Sequence, residues 1–289
     1  MMKTYFKYTT LAFVVIATVF VAAYVMYDSQ YIPVMGGTDT TDVPDTPSTE
    51  ISNTVPTETE PPETEPPETE PPAPKKRVAL TFDDGPAYDN NDFQRLTYKL
   101  VDKLDEYDGD ATFFLVGNRI NSATGGAIRY AADHGSEIGI HAFTHDYNFS
   151  TCDYSIFTTE LEDTKKAIEK YSGKEVTLFR PPYGSLTKER AVDSGYPIIL
   201  WNIDSEDWVY KSRSSEEAAE ENIRAIVDNI LSQVDDGDII LMHEIYRNSY
   251  EAACIVIDTL AAEGYEFVTV TELIGKDNLK AGKTYYNAN

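Results

Sequence analysis

Residues 37–74 cannot contribute to a folded core, and this divides the chain. The tract is built from Thr, Pro, Glu, Asp and Ser, with ten acidic residues and no Lys or Arg. It has too little apolar surface to offset the entropy lost on ordering. From Thr59 it repeats T-E-P-P-E, T-E-P-P-E and T-E-P-P-A. Paired prolines favour the polyproline conformation and like charges stretch it further, so at about 3.1 Å per residue the tract would reach on the order of 100 Å. It reads as a disordered linker over 37–76, a spacer for the C-terminal domain.

Upstream, residues 8–27 carry no charge, and 11–26 are almost entirely apolar. About 20 such residues in a helix cross the hydrocarbon of a bilayer. Lys3 and Lys7 precede the run, which fits an N-terminus left in the cytoplasm. The expectation for 1–36 is therefore a transmembrane signal anchor, with the remaining chain at the outer side of the cell membrane. A cleaved signal peptide is the alternative. The length of the run argues against it, as do Tyr24, Met26 and Tyr27 where small residues would mark a cleavage site. Both readings carry the C-terminal domain across the membrane.

That domain, 77–289, is long enough for one sizeable core. The formal net charge of the chain is −25; setting aside residues 37–74, Asp28, Lys3 and Lys7 leaves 38 acidic against 22 basic residues over 75–289, a net −16. So acidic a body repels phosphate backbones and excludes nucleic acid as a partner. A monomer is expected. Cys152 and Cys254 match no metal-binding spacing; outside the cell they could pair, and otherwise they are two unpaired buried thiols.

From Arg77 onward, short β-rich runs alternate with longer amphipathic ones. Strands are expected at 78–82, 111–116, 137–140, 177–180, 198–202, 238–242 and 266–270. Helices are expected at 91–106, 124–134, 155–171, 187–194, 215–233 and 250–263. The alternation predicts an α/β fold with a parallel sheet, and about seven repeats suit a distorted (β/α) barrel. In such a barrel the C-terminal strand ends form the active face. Asp83 and Asp84 follow the first expected strand, His141 the third, Arg180 ends the fourth, Asn202 and Asp204 end the fifth, and His243 ends the sixth.

Five motifs stand at those ends. In Thr81-Phe82-Asp83-Asp84-Gly85-Pro86, adjacent carboxylates repel unless a cation lies between them and their surroundings; alone, the run would read as a turn. His141-Ala142-Phe143-Thr144-His145 holds two of the chain's four histidines. With a carboxylate from a neighbouring strand end they complete a His, His, Asp set, which suits a catalytic metal with open positions. Phe179-Arg180-Pro181-Pro182-Tyr183-Gly184 places an arginine able to hold a carboxylate through paired hydrogen bonds. The segment 201–208 carries both tryptophans, Trp201 and Trp208, beside carboxylates. Ile239-Ile240-Leu241-Met242-His243 is an apolar strand ending in histidine.

In this order, over about 76–275, the five motifs resemble the polysaccharide deacetylases of the NodB-homology type, carbohydrate esterase family four, and among them the peptidoglycan N-acetylglucosamine deacetylases. The resemblance implies a distorted barrel and one divalent metal ion, usually zinc, held by Asp84, His141 and His145. It implies Asp83 as catalytic base and His243 as catalytic acid, with Arg180 orienting Asp83 and Asp207 orienting His243. The Tyr183 N–H would help hold the oxyanion, and Trp208 and Leu241 would border the acetyl pocket. The implied reaction is removal of N-acetyl groups from an extracellular polysaccharide. The tether favours the cell's own peptidoglycan; chitin oligomers or O-acetylated xylan are the alternatives. One departure stands out: the family usually has Ser or Thr after the first metal histidine, and this chain has Ala142. The loop is expected to be looser or braced by another group, such as Thr144.

Overall fold

The computed structural model describes residues 75–87 and 95–289. The expected anchor and nearly all of the expected linker lie outside the described residues, as does the start of the helix expected from residue 91. Among the described residues, no helix is long and apolar enough to cross a membrane.

The first strand, β1 (Arg77–Gly85), is buried along nearly its whole length, as expected for a parallel strand covered on both faces. It pairs in parallel with β2 (Thr112–Leu115) on one side and β6 (Ile239–His243) on the other. Beyond β2 lies β3 (Glu137–Ile140), and beyond β6 lies β5 (Ile203–Asp204), giving the order β3-β2-β1-β6-β5. Phe179 bridges Ile140 to Ile198, the first residue of β4 (Ile198–Ile199). Because β4 and β5 are two ends of one crossing segment, the parallel hydrogen bonding returns to β6 and closes into a distorted barrel. Two further short strands, β7 (Glu266–Phe267) and β8 (Thr284–Tyr285), pair in parallel with β1 and β4.

Helices wrap this ring. They are α1 (Leu96–Asp105), α2 (Gly125–Asp133), α3 (Tyr154–Ser172), α4 (Lys188–Ser194), α5 (Glu216–Leu231), α6 (Arg247–Ala262) and α7 (Val270–Ile274). In α3 the buried positions Phe157, Leu161, Thr164 and Ile168 recur every three or four residues, so one face meets the core. The helix stops at Gly173, whose φ of 68° is the left-handed conformation a helix end favours. Inside, Phe82 and Phe113 stack with centroids 5.3 Å apart; truncating either to Ala would cost about 3–5 kcal/mol.

Three strand expectations change. The run at 177–180 contributes only Phe179 to the sheet, because Pro181 and Pro182 follow at once and offer no N–H for a ladder. The run at 198–202 breaks into β4 and β5. Its carbonyls at Ile199 and Leu200 accept the Arg180 Nε and Nη2 protons, each at 3.0 Å. Asn202 turns away from the mouth, accepting the Ile239 N–H at 2.9 Å and donating to Asp238 at 2.6 Å. The run at 266–270 yields after Phe267 to α7, which starts at a reciprocal cap between Thr269 and Glu272. Strand β8 had no expectation. Cys152 and Cys254 are both unpaired and half-buried, and burial raises both thiol pKa values.

Candidate active site

Parallel pairing puts the C-terminal ends of β1, β3 and β6 on one face, and there the expected residues meet. Asp83 sits opposite His243 in the β1–β6 register. A bulge between Asp83 and Gly85 ends the ladder with β2 and gives Asp84 a φ of 70°. Six non-glycine residues among those described have positive φ, and five of them, Asp84, Ala142, His145, Tyr183 and Glu206, lie in the loops of this face. Such backbone is costly and persists only where surrounding bonds impose it.

Those bonds are present. Arg180 is fully buried. Its Nη1 donates to Asp83 Oδ1 and to Thr81 Oγ1, both at 2.8 Å, and its guanidinium lies 4.3 Å from the Phe114 ring. Four of its five N–H directions are thus spent on holding the backbone at Ile199 and Leu200, β1 and one oxygen of Asp83. The other oxygen, Asp83 Oδ2, faces the mouth, 3.6 Å from His141 Nε2.

His141 Nδ1 is 2.8 Å from the Arg180 carbonyl. A carbonyl only accepts, so Nδ1 carries the proton and Nε2 presents a lone pair. That Nε2 lies 3.6 Å from Asp84 Oδ1, and His145 Nε2 lies 3.3 Å from the same oxygen. Asp84 Oδ1 is buried without a hydrogen-bond partner. Burial pushes the Asp84 pKa up, but nearby His141, His145, His243 and Arg119 outweigh it and hold the group below its usual range. Burial, with the neighbouring His141, pulls His145 down and favours its neutral form. Ligand atoms of Asp84, His141 and His145 all lie within 4.8 Å of one another. Two imidazoles and one orphaned carboxylate oxygen converging at this spacing fit a divalent cation.

On the other side, Asp207 is fully buried and grips His243 twice. Its Oδ2 accepts the His243 backbone N–H at 2.6 Å, and its Oδ1 accepts from Nδ1 at 2.7 Å. Burial pulls the His243 pKa down, yet the bond and charge of Asp207, with Asp83 and Asp84 behind it, raise it to about 9. Leu241 is buried two residues before His243 on the same strand face. Trp208 and Tyr183 are half-exposed at the rim. The Tyr183 ring packs 4.7 Å from His145, and its backbone N–H has no acceptor among the described residues. Trp201 lies in the wall, with Arg180 5.4 Å from its ring.

Two residues escaped the sequence reading. Glu160 on α3 accepts the Phe143 and Thr144 amides at 2.7 and 2.8 Å and the Thr144 hydroxyl at 2.8 Å. The carbonyls of Ala142 and Phe143 accept from Gly117 and Asn118, both at 2.9 Å. The backbone between the two histidines is thereby held from both sides, with Glu160 and Thr144 bracing the loop that Ala142 does not. The other is Glu244, fully buried against Gly85 and bonded to Thr97; a Cβ at Gly85 would collide with its carboxyl. Burial raises its pKa to about 8, although the Thr97 and Ala87 bonds and Arg119 oppose this. Only the fold reveals either partner, since Glu160 is 16 residues from Thr144 and Glu244 is 147 from Thr97.

The polysaccharide deacetylase family model matches residues 70–197. A peptidoglycan-N-acetylglucosamine deacetylase of Bacillus cereus is 32% identical over 208 residues, covering 69% of this chain and 89% of that protein. The chain belongs to the polysaccharide deacetylase family. The peptidoglycan-N-acetylmuramic acid deacetylase PdaC of Bacillus subtilis is 37% identical over 199 residues, covering 69% of this chain and 39% of that relative's length. A solved family 4 acetyl xylan esterase from Clostridium thermocellum, in complex with a cobalt ion, superposes with a TM-score of 0.62 at 33% identity, covering 73% of this chain and 98% of that one. The family model takes in the first three motifs, at 81–86, 141–145 and 179–184.

Proposed function

We propose that the chain is a metal-dependent N-deacetylase acting on N-acetylglucosamine units of an extracellular glycan, peptidoglycan before chitin. The observation that carries it is the division of labour at one barrel mouth: a cation-ready Asp84–His141–His145 cluster lies between a free carboxylate oxygen on Asp83 and a proton-loaded His243. A divalent ion held there, zinc first by its N/N/O donor set, would acidify a water and polarise the amide carbonyl.

The chain's own groups supply the rest. Asp83 Oδ2, free while Arg180 holds Oδ1, takes the proton of the attacking water. The Tyr183 N–H donates to the oxygen that gains charge as the carbonyl carbon becomes tetrahedral. His243 has its Nδ1 committed to Asp207 and offers the Nε2 proton to the leaving nitrogen. The C–N bond breaks as that proton arrives, leaving acetate and a glucosamine amine. Leu241 and Trp208 give the acetyl methyl an apolar border.

An anchor at 8–27 and a linker of about 100 Å would hold this domain outside the membrane, within reach of the wall. That favours peptidoglycan, and relatives named for both its sugars support the choice. The solved acetyl xylan esterase favours a second reading, O-acetyl removal from xylan. Acetate release from peptidoglycan, chitin oligomers and acetylxylan, measured side by side with and without chelator, separates them. Chelator-sensitive release from peptidoglycan is expected; release from acetylxylan alone would overturn the N-deacetylase reading.

A further inference from the structure

We propose that Tyr147 forms a sugar-stacking subsite, holding a second pyranose of the glycan beside the one being deacetylated. The proposal rests on the deacetylase reading above. Tyr147 is 80% exposed, more than any other exposed large hydrophobic residue among those described. It nevertheless stands on a fixed turn. The Asn148 N–H donates to Asp146 Oδ1 at 2.7 Å, and the Phe149 N–H donates to the Asp146 carbonyl at 3.1 Å. Phe149 then anchors the turn in the core, 5.1 Å from Phe157 and 5.9 Å from Phe179 between ring centroids. On the other side the turn begins at His145, whose loop Glu160 braces.

The ring is also continuous with the site. Tyr147 meets Tyr183 edge-on, with centroids 5.5 Å apart and planes at 65°, and Tyr183 meets His145 at 4.7 Å. An aromatic path thus runs from a candidate metal ligand out to solvent. A ring this exposed buries little surface and adds little to folding. It does prepare a surface for a ligand with an apolar face and a polar rim, because a tyrosine is apolar in body and polar at its tip. The C–H face and hydroxyl edge of a pyranose have that chemistry. A polymer whose N-acetyl group sits at the metal cluster must run its neighbouring sugars over one rim of the mouth, and Tyr147 stands on that rim.

The test is the chain-length dependence of acetate release from N-acetylglucosamine oligomers of two to six units by the metal-loaded enzyme. The wild type should show kcat/KM rising with length. Tyr147→Ala should lose about 3- to 10-fold of that rise, in KM rather than kcat, while Tyr147→Phe and Tyr147→Trp keep it because the ring does the binding. Metal content and thermal melting of each variant check that the loop is intact. Absence of a length dependence in the wild type, its persistence in Tyr147→Ala, or loss in Tyr147→Phe equal to that in Ala overturns the subsite. A wild type that releases acetate neither from the oligomers nor from peptidoglycan overturns the deacetylase reading instead.

Discussion

The two sides of the barrel mouth are built on opposite principles. The Asp207–His243 pair is complete in itself: donors meet acceptors at 2.6 and 2.7 Å, and the buried carboxylate has its cation. The Asp84–His141–His145 cluster is incomplete: three ligand atoms crowd together, and the buried Asp84 Oδ1 has no hydrogen-bond partner. A buried polar group left unpaired costs about 1–3 kcal/mol, a cost that a bound divalent cation would remove here. One side is arranged to hold a proton, and the other is a group that could hold a metal ion.

The sharpest way to break that contrast is to remove one partner from each side. His141→Ala takes a ligand from the incomplete side and should abolish both metal retention and measurable acetate release. Equilibrium dialysis against zinc or cobalt reads the first directly. Asp83→Asn touches neither side's internal bonds. It should cut turnover by about 10²–10⁴-fold while metal binding stays at the wild-type level. If Asp83→Asn lost the metal and Asp84→Asn kept it, the two aspartates would have to exchange roles.

Asp207→Asn tests the complete side through pH. His243 must be protonated to donate, so activity should decline as pH rises through about 9, or somewhat lower once a cation offsets Asp84. Asn cannot supply the negative charge. A hydrogen bond to a charged partner is worth about 1.5–3 kcal/mol, which corresponds to about one to two pH units. The alkaline limb of the pH–rate profile should move down by that amount. A limb that stays in place would mean that His243 is not the acid.

Glu160→Ala sharpens the comparison from outside the ligand set. Removing a group that orients a metal ligand typically weakens metal binding by about 10- to 100-fold. Glu160 holds two amides and a hydroxyl of the loop between His141 and His145. Its loss should appear as faster metal loss to a chelator, with Glu160→Gln intermediate because it keeps one acceptor oxygen. An unchanged metal off-rate in Glu160→Ala would reduce the brace to scaffolding.

The features legible in the chain were the local ones. Asp83, Asp84, His141 and His243 stand at or next to strand ends, and a strand end is visible in hydrophobic patterning; Arg180 follows the single bridge residue Phe179. The helix positions were legible for the same reason, since α3 and α5 repeat their apolar residues at helical spacing. The break between β4 and β5 was not legible, because it depends on where a guanidinium from another segment spends its protons. Glu160 read as one more charge on an amphipathic helix. Glu244 read as a polar residue after a strand, with nothing nearby in sequence to say that it is buried. Helix α7 was within reach: Thr269-x-x-Glu272 is a capping signature, masked because the apolar run before it looked like a longer strand.

Glu244 carries the smallest expected effect, one of stability against pH. Its carboxyl is buried against Gly85 with one oxygen unpartnered and the other on Thr97. Its ordinary pKa of 4.5 is raised to about 8 in the fold. Between those values the folded protein holds one proton more than the unfolded chain, so the stability this proton brings is complete below pH 4.5 and is lost progressively up to about pH 8. Arg119 and Asp84 face the same group with opposite charge, so metal occupancy must be held constant in the comparison. Glu244→Gln keeps the shape and cannot ionise. Relative to wild type it should gain stability as pH rises from about 5 to about 8, by about 1–3 kcal/mol, read as a melting-temperature difference of about 2–4 °C per kcal/mol. Parallel melting curves for the two proteins across that range would mean that Glu244 is ionised in the fold and that the turn below Asp84 carries a buried charge instead of a proton.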